Sequence, residues 1–172
     1  MKKEVHKSII VIGEYRSGKA SIITRYCSNE IYGRKSDWFE SGFKSKNITQ
    51  RHQTIKLMVW KTPVKPAFRD FSSDYYSGPY GWLVVFDLTN RESFDYISFW
   101  VGEIRKHGNQ ANPIFIVGNK SDLKKKRQVS YEEAKMLADS FNVPYADVSV
   151  LYNHNLDTVF SILLKEMTFN KK

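Results

Sequence analysis

The sequence predicts a doubly wound, mostly parallel α/β sheet with helices on its faces. Three observations carry that prediction. Continuous apolar runs recur at Ile9-Ile10-Val11-Ile12, Trp82-Leu83-Val84-Val85-Phe86 and Ile114-Phe115-Ile116-Val117, and short unbroken runs of this kind suit parallel strands covered on both faces. Each run is followed by a stretch of helical periodicity, and alternation of strands with helices builds such a sheet. Two polar motifs stand directly after the first and third runs, at the strand C-termini where open α/β sheets hold ligands.

Taken in order, the first strand opens into Gly13-Glu14-Tyr15-Arg16-Ser17-Gly18-Lys19 and then into a helix carrying the lone cysteine, Cys27. The alternation of Ile55-Lys56-Leu57-Met58-Val59-Trp60 suits a strand paired as a hairpin with Phe43 to Thr49. The Trp82 and Ile114 runs supply two interior strands. Ser130 followed by Glu133 predicts a capping box heading a helix with Ala134, Leu137, Ala138 and Phe141 on one face. The last helix places Leu156, Val159, Phe160, Leu163, Leu164 and Met167 at helical spacing, a stripe that reads as core.

Length and composition bound the class. At 172 residues, with 41% hydrophobic residues and mixed charge, the chain suits one domain over 1–172 with a single core, either alone or as one domain of a longer chain. No run approaches the ~18 apolar residues of a membrane span. The start, Met1-Lys2-Lys3-Glu4, lacks the apolar stretch of a secretion signal. Cys27 alone forms no internal disulfide, which fits a cytoplasmic setting, and it reads as a small apolar residue. The net charge of +9 comes from scattered residues, and the one dense cluster, Lys124-Lys125-Lys126-Arg127, reads as a solvated loop. No nucleic-acid partner is expected. His6, His52, His107 and His154 share no metal-ligand spacing, so no metal is assigned to them.

The two motifs carry the chemistry. A loop fixed by Gly13 and Gly18 lets backbone N–H groups converge on phosphate oxygens at a helix N-terminus, and Lys19 would neutralise the β and γ phosphates. In Asn119-Lys120-Ser121-Asp122, Asp122 offers two carboxylate acceptors to the N1–H and exocyclic amino group of guanine, a pairing that adenine cannot match. Asn119 positions the loop and the base. The phosphate-loop pattern normally ends in Ser or Thr, whose hydroxyl holds Mg²⁺, and here the next residue is Ala20. The binding half is kept while the metal half is broken.

With these motifs stand Phe43-Lys44-Ser45-Lys46, Trp60, Phe68-Arg69, Tyr75-Tyr76-Ser77-Gly78, Arg91-Glu92-Ser93-Phe94 and Ser130-Tyr131-Glu132-Glu133-Ala134. Over nearly its whole length the chain resembles the Rab proteins of the Ras-like small GTPases. The resemblance implies a six-stranded G domain that binds GDP or GTP and works in vesicle traffic. It places nucleotide contacts at Gly13, Tyr15, Arg16, Ser17, Gly18, Lys19, Ala20, Asn119, Lys120, Asp122, Ser149, Val150 and Leu151. It matches Phe43, Trp60 and Tyr75 to the aromatic triad through which Rab proteins contact effectors; the same residues also suit packing under the switches.

Departures from the family gather on the catalytic half. Trp38 stands where switch I offers its threonine, Lys61 replaces an aspartate, and the family's Asp-Thr-Ala-Gly-Gln-Glu has become Lys61-Thr62-Pro63-Val64-Lys65-Pro66. Lys65 thus takes the place of the glutamine that orients water, Val64 that of the glycine that senses the γ-phosphate, and no catalytic residue is assigned. Together with Ala20, these losses remove most of what phosphoryl transfer asks of a protein. Hydrolysis is expected to be slow or absent, and Mg²⁺ weak or not required. The stacking aromatic aligns with Ile31, and the family's Ser-Ala-Lys has become Ser149-Val150-Leu151, where the Val150 N–H still suits the guanine O6. Arg16 is poised either to reach phosphate or to point into solvent.

The expected role is a partner-recruiting, nucleotide-binding module; the alternatives are a slow but active GTPase and a nucleotide-free scaffold. Asn170-Lys171-Lys172 carries no prenylated cysteine. The chain itself is therefore expected to lack a lipid anchor and to sit in the cytoplasm, or peripherally on endomembranes through a missing tail or a partner.

Overall fold

The computed structural model describes residues 4–31, 42–50, 53–62, 78 and 80–169. Trp38, Val64, Lys65 and Tyr75 lie outside them, as do His52, Pro63, Pro66, Phe68, Arg69, Tyr76 and Ser77.

Strand β1 (Glu4–Ile12) leads into helix α1 (Lys19–Ser28), and β2 (Phe43–Gln50) and β3 (Gln53–Lys61) follow. Next come β4 (Tyr80–Asp87), the short helix α2 (Arg91–Asp95), α3 (Ile97–His107), β5 (Ile114–Asn119), a 3₁₀ turn at Lys124–Lys126, α4 (Tyr131–Ser140), β6 (Tyr145–Asp147) and α5 (Leu156–Phe169). They form a six-stranded sheet in the order β2-β3-β1-β4-β5-β6. The β2–β3 hairpin is antiparallel, with Phe43 opposite Trp60, and every other pairing is parallel. The expected doubly wound sheet and its one hairpin are both present.

Alternation along the interior strands sends successive side chains to two separate cores. Ile9, Val11, Leu83, Val85, Phe115 and Val117 pack with α1 and α5, while Ile10, Ile12, Trp82, Val84, Phe86 and Ile116 pack beneath α2, α3 and α4. Every residue of β5 is buried, as strands covered on both faces require. Each such aliphatic side chain contributes roughly 1.5–3 kcal/mol by leaving water. On β3, Ile55, Leu57 and Val59 are buried and alternate with partly exposed neighbours, the pattern of a strand near the sheet edge.

Side-chain contacts then fix the helices. Tyr26 on α1 stacks on Phe160 of α5, with centroids 3.7 Å apart and planes within 6°. Lys46 covers Tyr26 at 4.1 Å from the ring centroid and donates to its carbonyl at 2.9 Å. Half-buried Cys27 packs against the same core, and burial pushes its thiol up to about 11, so it is an apolar filler rather than a nucleophile. The stripe on α5 is core, as its spacing implies: Leu156, Val159, Phe160, Leu163 and Leu164 are buried.

The capping box is only half made. Ser130 Oγ accepts from the Glu133 N–H at 3.1 Å, but the Glu133 carboxylate turns away from the cap to the Arg91 guanidinium, with contacts of 2.8 and 2.5 Å. A two-pronged charged pair outcompetes a single backbone N–H, and it ties α2 to α4. In the basic cluster, Arg127 leaves solvent to meet Asp147 at 2.5 Å, while Lys124, Lys125 and Lys126 stay exposed. Among the described residues, no helix is long and apolar enough to cross a membrane.

Candidate nucleotide site

The loop after β1 is shaped by two glycines. Gly13 has φ +145°, and a Cβ there would stand 2.0 Å from the Val85 carbonyl oxygen, so no side chain fits. Gly18, at φ +93°, caps α1, and its absent Cβ leaves room for the Asn119 amide that would otherwise lie 2.2 Å away. No side chain caps α1, so its first N–H groups face the loop and its positive dipole end is available to an anion. Arg16 sits in the left-handed region at φ 62°, uncommon for a residue with a Cβ.

Lys19 lies across this loop. Its ammonium donates to the carbonyls of Gly13 at 2.8 Å and Glu14 at 2.6 Å. Burial pulls its pKa down to about 7; the Glu14 carboxylate opposes that shift and the Lys61 ammonium adds to it. Trp100 on α3 donates to the Glu14 carboxylate at 3.2 Å.

Beside the loop, at the ends of β4, β5 and β6, the second motif assembles. The Asn119 amide donates to the Ser17 carbonyl at 3.0 Å and so joins the two motifs, while its buried Oδ1 has no hydrogen-bond partner among the described residues. The Lys120 ammonium meets Asp87 Oδ2 at 2.5 Å and the Arg16 carbonyl at 3.2 Å. Ser149 Oγ donates to Asp122 Oδ1 at 2.6 Å, orienting the carboxylate and leaving its other oxygen outside that bond. Gly18, Ser21, Ile31, Asn119, Lys120, Asp122, Val150 and Leu151 line a cavity of about 180 Å³. A carboxylate, an orphaned acceptor and apolar walls at Ile31 and Leu151 suit a flat heterocycle with paired N–H donors.

These contacts bond the Gly13–Lys19 loop to the Asn119–Asp122 motif at the strand C-termini of the six-stranded sheet. The Ras family model matches residues 8–169. The chain is 35% identical over 160 residues to the Ras-related protein RABA3 of Arabidopsis thaliana, covering 92% of this chain and 68% of that protein. It is 31% identical to Rab11A of Lotus japonicus over 95% of this chain and 74% of that protein, and 30% identical to RabC of Dictyostelium discoideum over 100% and 89%. The chain belongs to the Ras family. Ras-family GTPases bind guanine nucleotide and protein effectors, and in this Ras-family chain the Gly13–Lys19 loop and the Asn119–Asp122 motif lie in direct contact.

Not every expected contact residue faces the cavity. Ser149 acts through Asp122, and Ser17 through its carbonyl. Tyr15 is 63% exposed, and the Arg16 guanidinium lies 5.2 Å over the Tyr15 ring. Arg16 therefore takes the solvent-facing alternative in this structure. Three participants escaped the motifs: Asp87, the ion partner of Lys120; Ser21 in the cavity wall; and Trp100, which holds Glu14. The strand-end position of Asp87, directly after an apolar run, is the one available sequence signal among them. A larger cavity of about 620 Å³ at the opposite sheet edge, near Arg105, Asn112 and Pro144, includes neither motif.

The metal half is chemically different from that of the Ras-family pattern. Ala20 is a half-buried methyl packed against the core, and the last residue of β3 is the cation Lys61. The Thr62 hydroxyl is bonded to the Val11 carbonyl at 3.2 Å. Where the pattern sets two oxygen donors for Mg²⁺, these residues offer a methyl and an ammonium, which do not fit a hard dication. Beyond that corner, the Phe43 and Trp60 rings pack 4.4 Å apart at 35° on half-buried positions of the hairpin.

Proposed function

We propose that this Ras-family chain is a Rab-like, guanine-nucleotide-binding protein with impaired or absent GTP hydrolysis, acting as one domain over 1–172 that recruits protein partners in vesicle traffic. One observation carries the reading: the polar groups suited to reading guanine are assembled, with Asp122 held by Ser149 and Asn119 bonded to the Gly13–Lys19 loop, while Ala20 and Lys61 put a methyl and an ammonium in the catalytic half. Binding needs the first set of groups; phosphoryl transfer needs both. The half-buried Phe43–Trp60 ring pair on the hairpin supports recruitment, since aromatic residues make strong contact points. Membrane residence would come through a partner or a tail beyond these residues.

The experiment is to denature the purified protein, identify the released nucleotide, and follow single-turnover hydrolysis of loaded GTP. Guanine nucleotide in the supernatant with negligible turnover supports the proposal. An empty protein that takes up neither GDP nor GTP would make it a scaffold, and turnover at ordinary family rates would make it an enzyme.

A further inference from the structure

We infer that the Lys61 ammonium, rather than a divalent metal, completes phosphate neutralisation beside Lys19, so that this protein holds a guanine nucleotide without Mg²⁺. The inference rests on the guanine-nucleotide reading above and adds a cation role for one residue.

Strand register places the group. Lys61 ends β3 and pairs with Val11, two residues before Gly13. It shares strand parity with the buried Ile55, Leu57 and Val59, whose face includes the core under α1. Its N–H donates to the Gly42 carbonyl at 2.8 Å, and both the N–H and hydroxyl of the next residue, Thr62, bond the Val11 carbonyl at 3.2 Å. The strand end is therefore fixed at the mouth of the phosphate loop.

Lys61 lies near enough to Lys19 to lower the pKa of that lysine, and partial burial lowers its own. Two like charges in a half-dry corner repel each other, and Glu14, the acid facing Lys19, also accepts a bond from Trp100. A dication entering this corner would meet two ammonium groups, with the Ala20 methyl in place of a hydroxyl donor. A diphosphate entering it would relieve the repulsion instead.

The test is calorimetry of GDP binding to the full chain, in excess Mg²⁺ and in EDTA. Wild-type affinity should agree in the two media within roughly threefold, and Lys61→Gln should lose tenfold or more in both, about 1.4 kcal/mol. The conservative variant Lys61→Arg, which keeps the cation, should hold GDP within roughly threefold of wild type in both media; a lysine with only a packing role would not separate Arg from Gln in this way. The double variant Ala20→Ser/Lys61→Asp should acquire a Mg²⁺ dependence. A tenfold loss for wild type in EDTA, or wild-type affinity in Lys61→Gln, overturns the inference and leaves guanine binding standing. Failure of wild type to bind GDP in either medium overturns the guanine-nucleotide reading itself, and this inference with it.

Discussion

Trp100 and Glu14, 86 residues apart in sequence, meet through an indole N–H that donates to the carboxylate at 3.2 Å. The contact fastens α3 to the phosphate loop and holds the acid that faces Lys19. Trp100→Phe keeps an aromatic ring, smaller than the indole, and removes the donor. We expect a loss of about 1.5 kcal/mol, the scale of a hydrogen bond to a charged group, and a fall in melting temperature of roughly 3–6 °C. Calorimetric melting without nucleotide measures both; an unchanged melt would show that the bond contributes nothing.

Base selectivity should reside in Asp122. Asp122→Ala should abolish the preference for guanine over adenine nucleotides, at a cost above ~2 kcal/mol, because the base's paired N–H donors lose their acceptor. Ser149→Ala removes only the bond that orients the carboxylate, so its effect should be smaller and in the same direction. Competition between GDP and ADP reads both. Full discrimination in Asp122→Ala would refute the assignment.

Acid–base behaviour follows from Lys19. Its pKa is pulled to about 7, against an ordinary value of 10.5, so between these limits the unfolded chain binds more protons than the folded one. Stability of the nucleotide-free protein should therefore rise with pH across that window. Nucleotide binding should run the other way, because phosphate favours the charged lysine: above pH 7 complex formation should take up a proton. Calorimetry in buffers of different ionisation enthalpy detects that proton, and no buffer dependence at pH 8 would contradict the assignment.

Hydrolysis should be slow. The resemblance to Rab proteins aligns Lys65 and Val64 with the water-orienting glutamine and the phosphate-sensing glycine, and on that reading the single-turnover rate should not exceed the intrinsic rates of small GTPases, on the order of 10⁻⁴ per second. Rapid-quench measurement on GTP-loaded protein checks this. A clearly faster rate with no added protein would be incompatible with it.

The fold was legible where local signals act alone. The runs at Ile9, Trp82 and Ile114 are strands because residues buried on both faces leave no room for alternation, and Ser130 caps α4 because its hydroxyl needs only the N–H three residues on. The rest required distant partners. Glu133 satisfies the capping pattern in sequence, yet Arg91, 42 residues away, takes its carboxylate. In the site, Asp122 was readable from its motif spacing, whereas Asp87 looked like an ordinary strand terminus until Lys120 met it at 2.5 Å. Trp100 gave no signal at all, since a tryptophan on an apolar helix face reads as core and its indole donor has no sequence neighbour to reveal it.

The register of the hairpin joins two surfaces of the molecule. Consecutive strand residues point to opposite faces, so Trp60, ringed with Phe43 on one side, and Lys61, facing the α1 side, are separated by a single peptide bond. A ligand leaning on the tryptophan and an anion drawing on the lysine would pull on the same strand end from opposite directions.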